Sequence, residues 1–528
     1  MTTRAHTTPA KWNRVLAGAA LAYLAYAGVF IANTSVVART GRTFCLSDDA
    51  MVSMRYARNV AAGRGFVWNP AGLPVEGFSN PLWVLTMASL HRTGLPARLM
   101  SLPVQILGAI LVVASLLLCA SWVRGLPGTP SGLPAVTALS FGLYLPVNTW
   151  ALLGSETAFL GFLFLFLFDR LGRAPDRFWT APAVAAAAFL TIWTRLDAAV
   201  PITGLLVWLA ADRGVPRRGR LWIWLSSASL IAILSVLAWS LVTFGRPLPI
   251  PFDLKLLGVP WLARLVRGTA VSGLWMLRVS PLLLLALPLA RRTLPAEYRP
   301  AVAILASLTA YNVYVGGDAW ERDVATNRFL TPALGPLFCL AAAGAMNLVA
   351  GLSGRSVFLR TGTAFVSVVA VNLLLNGALG LDSLSRWTLR LAPSDLEYSQ
   401  KNIERAAALE RLTDPKALIG VGMAGALPYF LDREFLDLLG KCDPIVARGP
   451  SHPMTGPLGL PWFVPGHSKW NAAYSIDEQK PDVVVTFAGP RDDWVRYADR
   501  DYVVHTVDGQ PFAFRKGSPH VRWNFVTQ

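Results

Sequence analysis

The sequence predicts an α-helical polytopic membrane protein of about eleven transmembrane helices, followed by a small α/β domain. Three observations support this. Hydrophobic residues fill 54% of the 528 positions and charged residues 15%, with a mean hydropathy of +0.45, far from the averages of soluble chains. Apolar runs of about 18 residues or more, the length needed to span hydrocarbon, recur through the first part of the chain. Arg and Lys gather in short clusters between these runs and alternate as the positive-inside bias requires.

The first run, 15–37, is too long for the apolar region of a signal peptide and lacks a small-x-small cleavage site, so it reads as a retained helix. The later runs are 98–123, 131–150, 156–172, 178–194, 197–212, 221–244, 272–290, 301–315, 328–350 and 361–380. With Arg4, Lys11 and Arg14 inside, the inner edges hold Arg124, then Arg170, Arg173 and Arg177, then Arg213, Arg217, Arg218 and Arg220. Arg291, Arg292 and Arg299, then Arg355 and Arg360, complete the set. The N-terminus is then cytoplasmic and the tail lies outside. Pro81–Leu90 is apolar but too short to cross, and counting it would put every later Arg cluster on the wrong side. It reads as an interfacial or re-entrant helix.

Two outer loops are long, 38–97 and 245–271. The tail is more polar, with strand-like runs at Ala417–Val421, Asp482–Phe487 and Tyr502–Val507. The expected division is a membrane domain over 1–380, which includes the first outer loop, and an extracytoplasmic α/β domain over 381–528. The formal net charge of +17 sits between apolar runs rather than along a basic stripe, so nucleic acid is discarded as a partner. Cys45, Cys119, Cys339 and Cys442 show no CxxC or metal-ligand spacing and read as inert thiols.

Ser47–Gly63 reads as a short amphipathic helix at the membrane surface. Ser47 or Asp48 is its N-cap, Asp49 complements the helix dipole, and Gly63 suits the stop. Asp48, Val52, Arg55 and Asn59 share one face, with Arg58 beside it. A lone Asp-Asp pair at a helix start is usually only a cap, but this loop continues with further signals. Gly65-Phe66-Val67-Trp68-Asn69-Pro70 comes next, then Val75-Glu76-Gly77-Phe78-Ser79-Asn80-Pro81-Leu82-Trp83.

This ordered string over 48–83 resembles the first periplasmic loop of GT-C fold glycosyltransferases, in the terminal arabinofuranosyltransferase-like branch. Gly154-Ser155-Glu156-Thr157 is similar to that family's Gly-Leu-Glu-Thr. Thr194-Arg195-Leu196-Asp197 is similar to its Thr-Arg-Pro-Asp, with Leu196 in place of proline. Gly316-Gly317-Asp318 with Asn327-Arg328-Phe329 resembles its Gly-Gly-Asp…Arg-Phe element. Pro249–Lys255 resembles a Pro-Asn-x-Phe-Tyr-x-Lys segment but departs at Ile250 and Asp253. Asp437–Pro444 and Pro465–Lys469 resemble Asp-Leu-x-Gly-Leu-x-Asp-Pro and Pro-Gly-His-x-Lys. The topology puts Asp48, Asp49, Glu156, Arg195, Lys255, Asp318 and Arg328 at one face, the outer one.

The resemblance implies a glycosyltransferase of the bacterial plasma membrane that uses a polyprenyl-phosphate sugar donor, with arabinofuranose the first choice of sugar. The acceptor is then an envelope polysaccharide or lipoglycan. Such chemistry needs a carboxylate base for a poorly nucleophilic hydroxyl, negative charge near a cationic anomeric carbon, and Arg or Lys for the leaving phosphate. Asp48 and Asp49 are the catalytic candidates. Arg55, Arg58, Lys255 and Arg328 are the candidates for donor phosphate, and Trp68, Glu76, Glu156, Asp318, His467 and Lys469 for sugar and acceptor. No cofactor is fixed, and a divalent cation with Glu156 or Asp318 stays open. Two other readings are a transporter or flippase for lipid-linked sugar, and a non-catalytic envelope-assembly protein on the same scaffold. A transporter would be expected to show inverted repeats and ionisable groups near the bilayer midplane, and neither is evident. Arg195 and Asp197 are expected to form a structural ion pair, and the glycine pattern at Gly420–Gly425 is too loose for a nucleotide site.

Overall fold

The computed structural model describes residues 9–38, 41–173, 175–291, 294–321, 326–352, 361–393, 396–452 and 454–526. Among them four helices are long and apolar enough to cross a membrane: Trp12–Ala32, Ala97–Arg124, Arg218–Phe244 and Thr331–Leu348. Two bent pairs bring that number to six. Shorter apolar helices, Thr180–Thr194, Leu196–Ala211 and Val366–Gly377, coincide with other expected runs. Arg4, Arg292, Arg355 and Arg360 of the inner clusters lie outside the described residues, as do the side chains of Lys11 and Arg291.

Several boundaries differ from the hydropathy reading, each with a local cause. The first helix stops at Ala32 rather than 37, because β-branched Val36 and Val37 join a hairpin in which Ser35–Ala38 pairs antiparallel with Gly41–Phe44. The run 131–150 is two helices, Leu133–Gly142 and Leu145–Leu152, bent by 53°. Pro146 lacks an N–H, so it can sit in the first turn of a new helix but not inside an old one. The run 272–290 begins at Trp261 and bends by 69° before Ser280–Leu289, with Pro281 in the second helix's first turn.

The first outer loop carries two short helices, Asp48–Ala61 and Pro81–His91. The first is rich in Ala, Met and Arg, all good helix formers, and ends where Gly63 takes φ +75°. It is not laid on a membrane surface, because ten of its fourteen residues are buried. Met51, Met54, Tyr56 and Ala57 share a core with Trp83 and Met87 of the second helix and with Leu409, Val421, Leu427 and Phe435 of the tail. Loop and tail therefore form one packed unit.

The tail is built on a five-stranded mixed sheet in the spatial order Glu434–Asp437, Leu418–Val421, Val483–Val484, Gln510–Arg515, Tyr502–Val507. Leu418–Val421 is parallel to both its neighbours, and the other two pairings are antiparallel. Val421 and Asp437 are paired, so the loops that leave both strands emerge side by side. Ligand crevices of α/β sheets form at such carboxyl ends.

Candidate active site

A cleft of about 950 Å³ opens where three parts of the chain meet. One wall is the start of the Asp48–Ala61 helix. The second comes from the helical domain and includes Trp150, Glu156, Arg195, Lys255, Trp320 and Arg328. The third consists of tail loops, with Gly422–Ala424, Leu439, Lys441 and Pro465–His467. The two tail loops at 422 and 439 are the ones that follow the paired parallel strands.

Ser47 is the N-cap but makes no side-chain cap hydrogen bond, its hydroxyl donating to the Leu153 carbonyl at 3.2 Å, and the partners of both aspartates lie outside the helix. Asp48 is buried, and its Oδ1 accepts from the Ala426 N–H at 3.0 Å. Burial pushes its pKa up to about 6, against the opposing pull of that N–H and of Lys441. The approach of the tail here is close. A Cβ on Gly425 would meet the Asp48 carbonyl oxygen, so only glycine fits.

Asp49 faces the cleft with a quarter of its side chain exposed, and its two carboxylate oxygens pair with different cations. Arg328 takes Oδ2 and Lys441 takes Oδ1, while Trp320 Nε1 stands 3.4 Å from Oδ2. Burial alone would raise its pKa, but Lys441 and Arg328 outweigh it and hold the group well below the ordinary carboxylate range. Arg328 is itself anchored by Asp318, which is fully buried. Arg328 Nη2 lies 3.1 Å from Asp318 Oδ1, and the Arg328 N–H donates to Oδ2 at 3.2 Å.

Glu156 is held between Arg195 at 2.8 Å and the Asn80 amide at 2.9 Å. Arg195 also makes the expected pair with Asp197, through bonds of 2.9 and 2.6 Å. Lys255, on the helix Ile250–Leu256, lines the cleft with its ammonium 5.1 Å from the Phe329 ring centroid. Among the described residues it has no ion-pair or hydrogen-bond partner. Burial, aided by Arg328, lowers its pKa to about 7. His467 also lines the cleft, with Nδ1 3.2 Å from the Pro465 carbonyl, and burial lowers its pKa.

Six expected site residues do not line the cleft: Asp318, expected at the sugar and acceptor, is fully buried behind Arg328, and five others point elsewhere. Arg55 has no exposure, and its guanidinium donates to the carbonyls of Trp68 (2.6 Å), Arg433 (2.9 Å) and Pro428 and to Asn69 Oδ1 (3.1 Å). It staples the loop to the tail and has no donor left for a phosphate. Arg58 donates to the Tyr429 carbonyl at 2.7 Å and stacks on that ring. Trp68 is buried, with Nε1 on the Ala424 carbonyl at 3.2 Å, so it offers no face to a sugar. Glu76 is buried behind the cleft wall and accepts from Ser240, while its main-chain carbonyl receives the Ile250 N–H at 2.9 Å and so sets the helix that carries Lys255. Lys469 is fully buried and donates to the carbonyls of Asp253 (3.0 Å) and Ala447 (2.6 Å).

Sequence reasoning missed Lys441, Asn80 and the Gly422–Gly425 loop. Lys441 sits in a polar turn, where a lysine ordinarily reads as solvated, and Asn80 before Pro81 reads as a helix cap. The loose glycine pattern was the signal for the third, since it allows the backbone to approach Asp48. Among the described residues no group of three or more His, Cys, Asp or Glu side chains is arranged to hold a metal ion. Glu156 and Asp318, the acids considered for that part, are each paired to arginine.

Residues 394–522 match a family described as a domain of unknown function (DUF8728). No curated protein matches the chain. Solved structures align along almost all of it. ArnT from Cupriavidus metallidurans in the apo state is 16% identical with a TM-score of 0.57, over 96% of this chain and 98% of its own. The same protein bound to undecaprenyl phosphate gives 15% and 0.55, over 97% and 99%. The Archaeoglobus fulgidus oligosaccharyltransferase tethered with an acceptor peptide gives 11% and 0.51, over 98% and 75%. These neighbours are GT-C fold glycosyltransferases, and at such identities the likeness establishes the fold. The chain has the GT-C architecture, and its apolar helices mark it as a membrane protein.

Proposed function

We propose that the chain is a glycosyltransferase that moves a sugar from a polyprenyl-phosphate donor to a hydroxyl of an envelope polysaccharide or lipoglycan. The reaction takes place on the outer face of a bacterial plasma membrane. One observation supports this above the others: Asp49 stands in the cleft as a partly exposed carboxylate, with Arg328 and Lys441 on it and Lys255, unpartnered among the described residues, beside them. A base and a cluster of cations within one cleft are the two halves of transfer from a phosphate leaving group. ArnT's capture with undecaprenyl phosphate, on the same fold, supports a lipid-phosphate donor. Arabinofuranose rests on the resemblance of the first outer loop, and eleven crossings with residues 381–528 outside rest on the Arg/Lys alternation.

In this mechanism the acceptor O–H gives its proton to Asp49 while its oxygen attacks the anomeric carbon. The bond from that carbon to the phosphate oxygen breaks, and its electron pair leaves on the polyprenyl phosphate. Lys255 and Arg328 balance the charge gained there, and negative charge from Asp48 and Asp49 favours the cationic anomeric centre. Asp48 is a positioning residue, which holds the helix start against the tail. Glu156 and His467 line the space left for sugar and acceptor.

The test is transfer by the purified full-length protein from polyprenyl-phosphate arabinose to short envelope glycans. Asp49→Asn is expected to lower kcat by about 10²-fold or more, as loss of a general base does. Asp48→Asn, which keeps an acceptor for the Ala426 N–H, is expected to lose less. No transfer from any lipid-linked sugar, or full activity in Asp49→Asn, would sink the reading.

A further inference from the structure

The two cations on Asp49 are held differently. Arg328 is fixed from behind, by a side-chain pair and a main-chain bond to the buried Asp318. Lys441 has Asp49 as its side chain's polar partner, and both side chains are about a quarter exposed, 24% and 25%. The turn that carries Lys441 is rigid. Asp437 accepts from the N–H groups of Leu439 (3.0 Å), Gly440 (3.1 Å) and Cys442 (2.7 Å). Gly440 takes φ +83°, and a Cβ there would press on Val446 and Ala447. The backbone is thus locked, while the ammonium sits at the end of a flexible four-carbon stem.

Lys441 is therefore the one of the two cations placed to change partner, since its ammonium is part-exposed on a flexible stem while Arg328 is held by Asp318. A phosphate entering the same cleft brings a second anion, with two unbridged oxygens, within reach of that ammonium. We infer that Lys441 is an exchangeable counter-ion that covers Asp49 and passes to the donor phosphate on binding, so that arrival of the donor uncovers the base. The inference rests on the reading of the donor as a polyprenyl-phosphate sugar. Arg328, anchored by Asp318, stays in place while Lys441 moves.

The exchange has a thermodynamic signature, because Asp49 and the phosphate compete for one ammonium. Removing the charge of Asp49 must tighten phosphate binding, and most of that gain must depend on Lys441. Binding of undecaprenyl phosphate is measured for the full-length protein in nanodiscs, for wild type, Asp49→Asn, Lys441→Met, Lys441→Arg and the Asp49→Asn/Lys441→Met double variant. The melting temperature of each is recorded as a control on folding. Asp49→Asn is expected to bind roughly tenfold tighter than wild type, and Lys441→Met more weakly. Lys441→Arg, which keeps the charge, is expected to bind more tightly than Lys441→Met. Adding Asp49→Asn to Lys441→Met is expected to recover only a small part of the tenfold. Unchanged or weaker binding by Asp49→Asn, or a full tenfold gain without Lys441, gives Lys441 a fixed role and overturns the inference while leaving the donor reading intact. A wild-type protein that does not bind undecaprenyl phosphate at all defeats both.

Discussion

Asp48 turns its carboxylate to the Ala426 N–H, and Asp49 turns to Arg328 and Lys441, so two adjacent residues meet opposite fields. Burial dominates at Asp48 and cations dominate at Asp49. The same contrast separates the lysines, since Lys441 pairs with a carboxylate and Lys255 pairs with none among the described residues. With its pKa lowered to about 7 by burial, Lys255 is charged below that pH and neutral above it. The KM for a polyprenyl-phosphate sugar, whose phosphate diester does not titrate here, is therefore expected to rise roughly tenfold between pH 6 and pH 8. Lys255→Arg is expected to flatten that rise, because a guanidinium keeps its charge across the range. Initial rates at the two pH values decide it, and equal KM values for wild type would refute it. At this scale the Asp-Asp pair and Arg328 were legible in the sequence. Lys441 was not, because its partner lies 392 positions away and no local pattern links them.

The helix Asp48–Ala61 was legible as an element, with its start at the aspartates and its stop near Gly63, and so was the short helix at Pro81. Its surroundings were not. Arg55 and Arg58 have the spacing of a phosphate clamp, yet their partners are carbonyls at 428–433, supplied by a tail that helical periodicity cannot reveal. Arg55→Ala would strand several buried carbonyls and leave the side chain of Asn69 with fewer partners. It is expected to destabilise the protein by about 3 kcal/mol. Arg58, whose side chain is 24% exposed, is expected to matter less when changed to alanine. Thermal unfolding of the purified variants measures both. A drop in undecaprenyl phosphate affinity for folded Arg55→Ala, without a drop in melting temperature, would return Arg55 to the donor site.

Over the whole molecule the apolar runs were legible because hydrocarbon imposes length and composition on every crossing. The shared core of first loop and tail was not, because it joins residues such as Met51 and Phe435 that only folding brings together. The inside–outside assignment is open to labelling, and the four native cysteines are all buried, which keeps the background low. Glu478→Cys, in the tail, is expected to react with a membrane-impermeant maleimide in intact cells. Arg213→Cys, in an inner loop, is expected to react only after lysis. The reverse pattern would overturn the topology.

Asp49 and Lys255 belong to one stretch of the polypeptide, and Gly425, Lys441 and His467 to another made much later. Roughly 200 residues, on the order of ten seconds or more of synthesis, separate Lys255 from His467. Helices can enter the bilayer throughout that interval, but no nascent chain shorter than His467 holds a finished cleft. A chain that stops short of the tail thus lacks one wall of the cleft.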